Sequence, residues 1–270
     1  MKRAFRVAYD GTAFRGFQRQ PDARTVERTL FDALARLGVY DGERFRPPGY
    51  AAAGRTDAGV SALAQTVAFD CPAWCTPRAV NSELPADVRA WASAEVPEAF
   101  HATHDATERE YTYHLHAPDA DAERAREALD RLAGSHDFHN LTPDDAGTER
   151  TLDAALSADG PFLVVVVRAD GFPRSFVRRL ATLVGAVGTG VRAPPFVDRV
   201  LSDERLGGGD AVGAAPPEPL VLTDVTYPDL AFERDEDAAE SAHEVFETRR
   251  VDHETSARVA ARLRDGVGPP

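Results

Sequence analysis

Asp57 has the surroundings most suggestive of chemistry. It sits in Gly54-Arg55-Thr56-Asp57-Ala58-Gly59-Val60, one carboxylate between two glycines, with an arginine two positions before it. Gly54 and Gly59 allow a tight turn and close approach of a ligand to the backbone. The spacing therefore predicts a short rigid loop carrying a single acid at its tip. Such a carboxylate can act as a nucleophile, or stabilise positive charge developing on a bound ligand. An ordinary surface turn also accepts Asp and Gly, so the loop taken alone leaves both readings open.

Other constellations are weaker. Cys71 and Cys75 are the only cysteines, and with His101 and His104 they make four potential zinc ligands. That spacing is permissive, and Phe100-His101-Ala102 reads better as part of a fold motif. No metal is expected. Arg174, Arg178 and Arg179 crowd the start of an apolar-periodic segment, where any of them could be a solvated arginine or the partner of an acid.

Several elements must position these groups. A strand is predicted over about Arg3 to Tyr9, and a helix from near Thr25 to Leu37, where Val26, Leu30, Leu34 and Leu37 recur at helical spacing before Gly38. Strands are expected to approach Asp57 through Gly49 to Ala53 and to leave it over Gln65 to Phe69, with another at Arg89 to Val96. Beyond a proline-marked boundary, Thr107 to His116 reads as a strand with Tyr111, Tyr113 and Leu115 on one face. A helix over Asp121 to Ala133 is capped by Gly134. Strands follow at Thr151 to Leu156 and Phe162 to Arg168, then a helix from Arg174 to Val187. A short helix lies within Asp198 to Pro219, with a last strand at Leu220 to Val225. The tail from Asp237 to Arg264 is helical in character. This order predicts an α+β fold of two similar subdomains, 1–100 and 101–230, with mixed, mainly antiparallel sheets, followed by an acidic tail over 231–270.

Composition narrows the class. At 270 residues and 43% hydrophobic content the chain can bury a substantial core. Its longest apolar run, Phe162 to Val167, is strand-sized, so no membrane span is expected. The N-terminus enters a strand pattern directly, without an apolar leader, and a cytoplasmic protein is expected. The formal charge is −13, Lys2 is the only lysine, and isoleucine is absent. Acid excess with almost no lysine looks like a halophilic proteome. The charge is uneven: residues 1–60 carry 11 basic and 7 acidic groups, a net of +4, which leaves −17 on the remainder. An arginine-bearing face on an acidic body permits an anionic ligand, while the acidic run over 229–247 reads as solvated surface.

Four segments, in order, resemble the tRNA pseudouridine synthase A family across nearly the whole chain. They are Tyr9-Asp10-Gly11-Thr12-Ala13-Phe14-Arg15-Gly16-Phe17-Gln18-Arg19-Gln20, the Asp57 loop, Asn81 with Leu84-Pro85-Ala86-Asp87 and Phe100-His101-Ala102 leading into Arg109-Glu110-Tyr111-Thr112-Tyr113, and Phe172 through Arg178. Three positions depart from the family pattern: Phe17 where tryptophan is common, Ser61 where histidine usually follows Gly-Val, and Thr103 where arginine often follows Phe-His-Ala.

The resemblance implies a pseudouridine synthase fold with a central catalytic cleft, and isomerisation of uridine to pseudouridine at positions 38 to 40 in the anticodon arm of tRNA. It implies no cofactor and no metal, a homodimer, and neither DNA nor membrane as partner. It assigns Asp57 as the catalytic residue, Arg178 as the cation beside it, Tyr111 as the ring that stacks on uracil, and Arg55 as a substrate-binding residue that helps hold the flipped nucleotide. Desolvation disfavours a carboxylate anion, and an adjacent guanidinium offsets this. A non-catalytic RNA-binding module or a nucleoside N-glycosidase would be rival readings of parts of this pattern.

In molar salt the Debye length shrinks to about 3 Å, which removes long-range steering. Short-range arginine hydrogen bonds and stacking must then carry affinity for RNA. Binding of tRNA, measured by filter retention across a KCl series, is expected to fall less steeply than in a lysine-rich relative. A steep loss with rising KCl would contradict this.

Overall fold

The computed structural model describes residues 1–268. Its first strand, β1 (Lys2–Tyr9), is buried from Ala4 through Tyr9, the mark of a strand with neighbours on both sides and both faces covered. β1 lies between β3 (Ser61–Asp70) and β4 (Val88–Val96), antiparallel to each. The helical spacing of Val26, Leu30 and Leu34 forms the buried face of α1 (Val26–Arg36), and Thr25 caps it by accepting from the Arg28 amide at 3.3 Å. The approach to Asp57 is strand only at β2 (Ala51–Ala52), which pairs with β3. The expected longer strand is cut short because Gly49 turns the chain at φ 64°. A short helix, α2 (Pro77–Asn81), precedes β4.

The second half opens with β5 (Glu108–His116) and α3 (Ala122–Leu132), close to the expected bounds. It continues through β6 (Gly134–Asp137), β7 (Glu149–Asp159), β8 (Phe162–Ala169), α4 (Phe176–Gly188), α5 (Phe196–Val200) and β9 (Leu220–Thr226). β6 is a correction: Gly134 was expected only to end a helix. Its φ of 94° reverses the chain into a strand that pairs with β7. α4 starts two residues later than expected, because Ser175 adopts a left-handed conformation instead of the first helical turn. The chain finishes with β10 (Glu233–Arg234) and α6 (Glu236–Val267).

The α+β class expected from the element order is what forms. The strands of both halves join in one mainly antiparallel sheet, ordered β10-β4-β1-β3-β9-β5-β8-β7-β6 with β2 beside β3. The halves meet through β3 and β9, the one parallel pairing among the described residues, and it spans only Ser61–Val221 and Ala62–Leu222. So short a ladder needs reinforcement. Arg6 supplies it from the buried side, donating to Ala64 O at 3.1 Å and to Thr66 Oγ1 at 3.2 Å on β3, and to Val225 O at 2.7 Å on β9. Asp224 lies 3.1 Å from the same guanidinium. One apolar core surrounds β1, α1 and β4 and includes Leu222 and Val225 of β9. The other gathers α3, α4, β7 and β8, and Tyr111 packs against both.

The tail docks at its root. Ala238, Ala239 and Ala242 are buried, and Arg249 forms ion pairs with Asp10 and Asp87 of the first half. The acidic run is solvated, with Glu233, Glu236, Glu240 and Glu244 exposed. No helix among the described residues is long and apolar enough to cross a membrane.

Removing the Arg6 guanidinium would leave acceptors on both sides of the joint without their donor. Arg6→Met is expected to cost about 2–4 kcal/mol, read from urea unfolding at constant high KCl. A change within experimental error would show that the joint does not depend on it.

Candidate active site

The Asp57 loop is built on buried supports. Thr56, just before it, is buried, with its hydroxyl 2.7 Å from that of Tyr9 on β1. Its carbonyl accepts from the Phe17 amide at 3.0 Å. Asp57 O then accepts from the Val60 amide at 3.2 Å, closing the turn. Gly59 is required: it has φ 83°, and a Cβ there would come within 2.8 Å of Pro217 Cγ. Gly54 is different from expectation. Its φ is not positive and a Cβ would meet no atom within 4 Å, so neither the turn nor the packing demands glycine there. The loop is entered from Ala53, whose carbonyl accepts from Arg109 at 2.9 Å.

The second half brings α4 against this loop. Arg178, in its first turn, places Nη1 at 3.3 Å from Asp57 Oδ2, and its Nε donates to Ala215 O at 2.7 Å. The carbonyl contact fixes the guanidinium plane. Asp57 keeps 37% of its side-chain surface exposed and Arg178 18%. The ion pair is therefore reachable from the cleft and worth little to stability by itself. Ser175 Oγ also donates to Oδ2, at 3.1 Å.

These groups open on a cleft of about 1050 Å³ between the halves. The volume lies at the upper end of ordinary small-ligand clefts. Among the described residues, Arg15, Arg19, Arg46, Arg55, Arg174 and Arg178 line it, against only Glu27 and Asp57. Glu27 is already engaged by the Arg19 amide at 2.7 Å. Arg15, Arg46 and Arg55 have no side-chain hydrogen bond or ion pair among the described residues, and all three are exposed. An otherwise acidic chain thus concentrates free guanidinium groups at one opening, a surface suited to phosphates.

Tyr111 lies on the cleft wall, its ring 5.2 Å from Phe172 and edge-on at 87°. Burial is the main cause that pushes its hydroxyl up to about 12; Asp57 adds to this, and Arg109 opposes it. It is a neutral phenol near pH 7. Tyr113 belongs to the core instead, with its hydroxyl donating to Pro216 O at 2.9 Å.

All four residues singled out from the sequence, Asp57, Tyr111, Arg178 and Arg55, therefore face one cleft. Sequence reasoning missed Ser175 and gave Arg109 no task. Arg109 bonds the carbonyls of Ala53 and Thr103, at 2.9 and 2.7 Å, and also that of Asp170. It thereby ties the entrance of the Asp57 loop to the segment leading into α4. Ser175 offers no local signal, because the helix expected from Arg174 already contained it. The family departures have local explanations: Ser61 Oγ accepts from the Gly11 amide at 3.0 Å, and Thr103 Oγ1 donates to Ala52 O at 2.5 Å. The rings of His101 and His104 lie 4.2 Å apart and tilted, but no group of three or more possible metal ligands converges among the described residues.

Comparison with known proteins points to one family. The family model described as tRNA pseudouridine synthase matches residues 128–228. A tRNA pseudouridine synthase A of Natronomonas pharaonis is 63% identical over 263 residues, which cover 97% of this chain and 98% of that protein. Its namesake in Haloarcula marismortui is 58% identical over 275 residues, covering 98% and 100%. That of Halobacterium salinarum is 56% identical over 264 residues, covering 97% and 98%.

A tyrosine raised to about 12 in the folded protein and near 10 when unfolded holds its proton more tightly in the folded state. Its contribution is complete below pH 10 and is lost as pH rises toward 12. Urea unfolding at pH 9, 10 and 11 is expected to show stability declining with pH, and declining less steeply in Tyr111→Phe. Equal slopes would mean that Tyr111 is not desolvated.

Proposed function

This chain belongs to the tRNA pseudouridine synthase A family, and on that premise we propose that it modifies uridines at positions 38 to 40 in the anticodon stem-loop, with Asp57 as catalytic nucleophile. That it is an isomerase acting on tRNA follows from the family. The site, the step and the assembly are our reading. The observation that carries it is Asp57 itself: the one cleft carboxylate not engaged by the backbone, set against a guanidinium from the opposite half.

The reaction joins the same base to the same sugar through a different atom. The N1–C1′ bond breaks and a C5–C1′ bond forms; C5 gives up a proton and N1 gains one. Water, redox equivalents and phosphate are not consumed, so the requirement is to hold a detached uracil and turn it. A carboxylate that forms a transient covalent link meets that requirement. Arg178 stabilises the anion before attack and after release. Tyr111, as a neutral phenol beside Phe172, is suited to stacking on the base and donating a hydrogen bond.

The target must leave the helical stack to reach Asp57, at a cost of a few kcal/mol. Arg55, exposed at the rim without a protein partner, is suited to hold the flipped backbone or fill the vacated place. The remaining cleft arginines fit recognition of RNA by shape and backbone. Dimerisation and a cytoplasmic location are carried over from the family. In a homodimer one subunit would position the tRNA body while the other reacts.

Incubation with unmodified tRNA in high KCl, followed by mapping of pseudouridine, tests the reading. Product is expected at positions 38 to 40 and nowhere else in the tRNA. Asp57→Ala is expected to bind tRNA but form no product, and Arg178→Ala to lose turnover far more than binding. Product from Asp57→Ala, or equal losses of turnover and binding in Arg178→Ala, would overturn the assignments.

A further inference from the structure

Ser175 stands where serine normally caps a helix, yet it does not cap α4. A capping serine lies in the extended region and accepts from an amide in the first turn. Ser175 instead has φ 57° and ψ 13°, and its side chain makes no capping bond. Left-handed geometry is unfavourable for a residue with a Cβ. It persists when the surroundings over-determine it, which is common where strain serves a site. The surroundings here do so. The amide of Arg174 donates to Asp144 Oδ2 at 2.8 Å, and Thr142 Oγ1 donates to Arg174 O at 3.1 Å. The Phe176 amide donates to Pro173 O at 3.2 Å, closing the turn on its other side.

The result of this conformation is a single contact: Ser175 Oγ donates to Asp57 Oδ2 at 3.1 Å, beside Arg178 Nη1 at 3.3 Å on the same oxygen. Among the described residues, no hydrogen bond reaches Oδ1. Two donors on one oxygen leave the carboxylate little freedom to rotate and turn the other oxygen toward the cleft. Resting on the reading of Asp57 as nucleophile, we propose that Ser175 is a positioning residue that pins Oδ2 together with Arg178, so that Oδ1 is the oxygen presented to the substrate. The αL turn is what aims the hydroxyl; a helical Ser175 would point it elsewhere.

Two substitutions separate the hydroxyl from the backbone. Ser175→Gly keeps the left-handed turn without strain, and Ser175→Ala keeps the strain; both remove the donor. Single-turnover pseudouridine formation at saturating tRNA is expected to fall roughly 10- to 100-fold in both, the worth of one hydrogen bond to a charged group. The Kd for tRNA is expected to stay within about twofold, and Ser175→Gly to melt at a higher temperature than Ser175→Ala. A wild-type rate in Ser175→Gly would overturn the proposal, since only the backbone would then matter. A rate loss matched by weaker tRNA binding would overturn it too. Asp57→Ala run alongside distinguishes the two levels: product from that variant sinks the nucleophile assignment itself. Its inactivity together with an unimpaired Ser175→Gly sinks the Ser175 role alone.

Discussion

A carboxylate from one half of the chain faces a guanidinium from the other across 3.3 Å, and the fold is arranged around keeping them there. Neither group is deeply buried, so the contact adds little to stability. Its consequence is geometric: the role proposed for Asp57 requires that α4 stay in register with the loop that carries the acid. Every connection between the halves therefore bears on the chemistry. The direct strand contact is brief, two residue pairs between β3 and β9. Side chains do the rest.

Two arginines illustrate how. Arg6 crosses the β3–β9 seam from beneath, and Arg109 spans from Ala53 at the loop entrance to Asp170 ahead of α4. Burial lowers the pKa of both guanidinium groups, with Asp224 opposing this most at Arg6 and Tyr227 at Arg109. Neither comes near to losing its proton at neutral pH, because an arginine is effectively always protonated. A planar cation with five donors is suited to this task, since one side chain can satisfy carbonyls on several segments at once. The lysine-poor composition and this use of arginine agree. The same residue type rivets the interior and lines the cleft, while the acidic excess lies on the solvated surface, including α6.

Much of the fold was legible because it rests on local rules. The spacing of Val26, Leu30 and Leu34 marked α1, and the run from Phe162 marked β8. Less was legible where turns and pairing decide. Gly134 to Asp137 is too polar and too short to read as a strand, and it becomes one only because β7 lies alongside. Ser175 read as the inside of a helix, and its left-handed turn is imposed by Asp144 and Thr142, more than 30 residues away in sequence.

The site divides along the same line. Sequence by itself singled out the groups proposed to carry the chemistry: the acid in the Gly-Arg-Thr-Asp-Ala-Gly loop, the tyrosine at 111 and the arginine at 178, and through the order of its motifs the family. These depend on residue type and near-neighbour spacing, which a linear string records. Only the tertiary structure decided that Asp57 Oδ2 takes two donors while Oδ1, among the described residues, takes none, that free arginines gather at one opening, and that a single sheet runs through both halves. Those facts are distances between atoms on segments well separated in sequence, and such distances exist only after the chain has closed on itself.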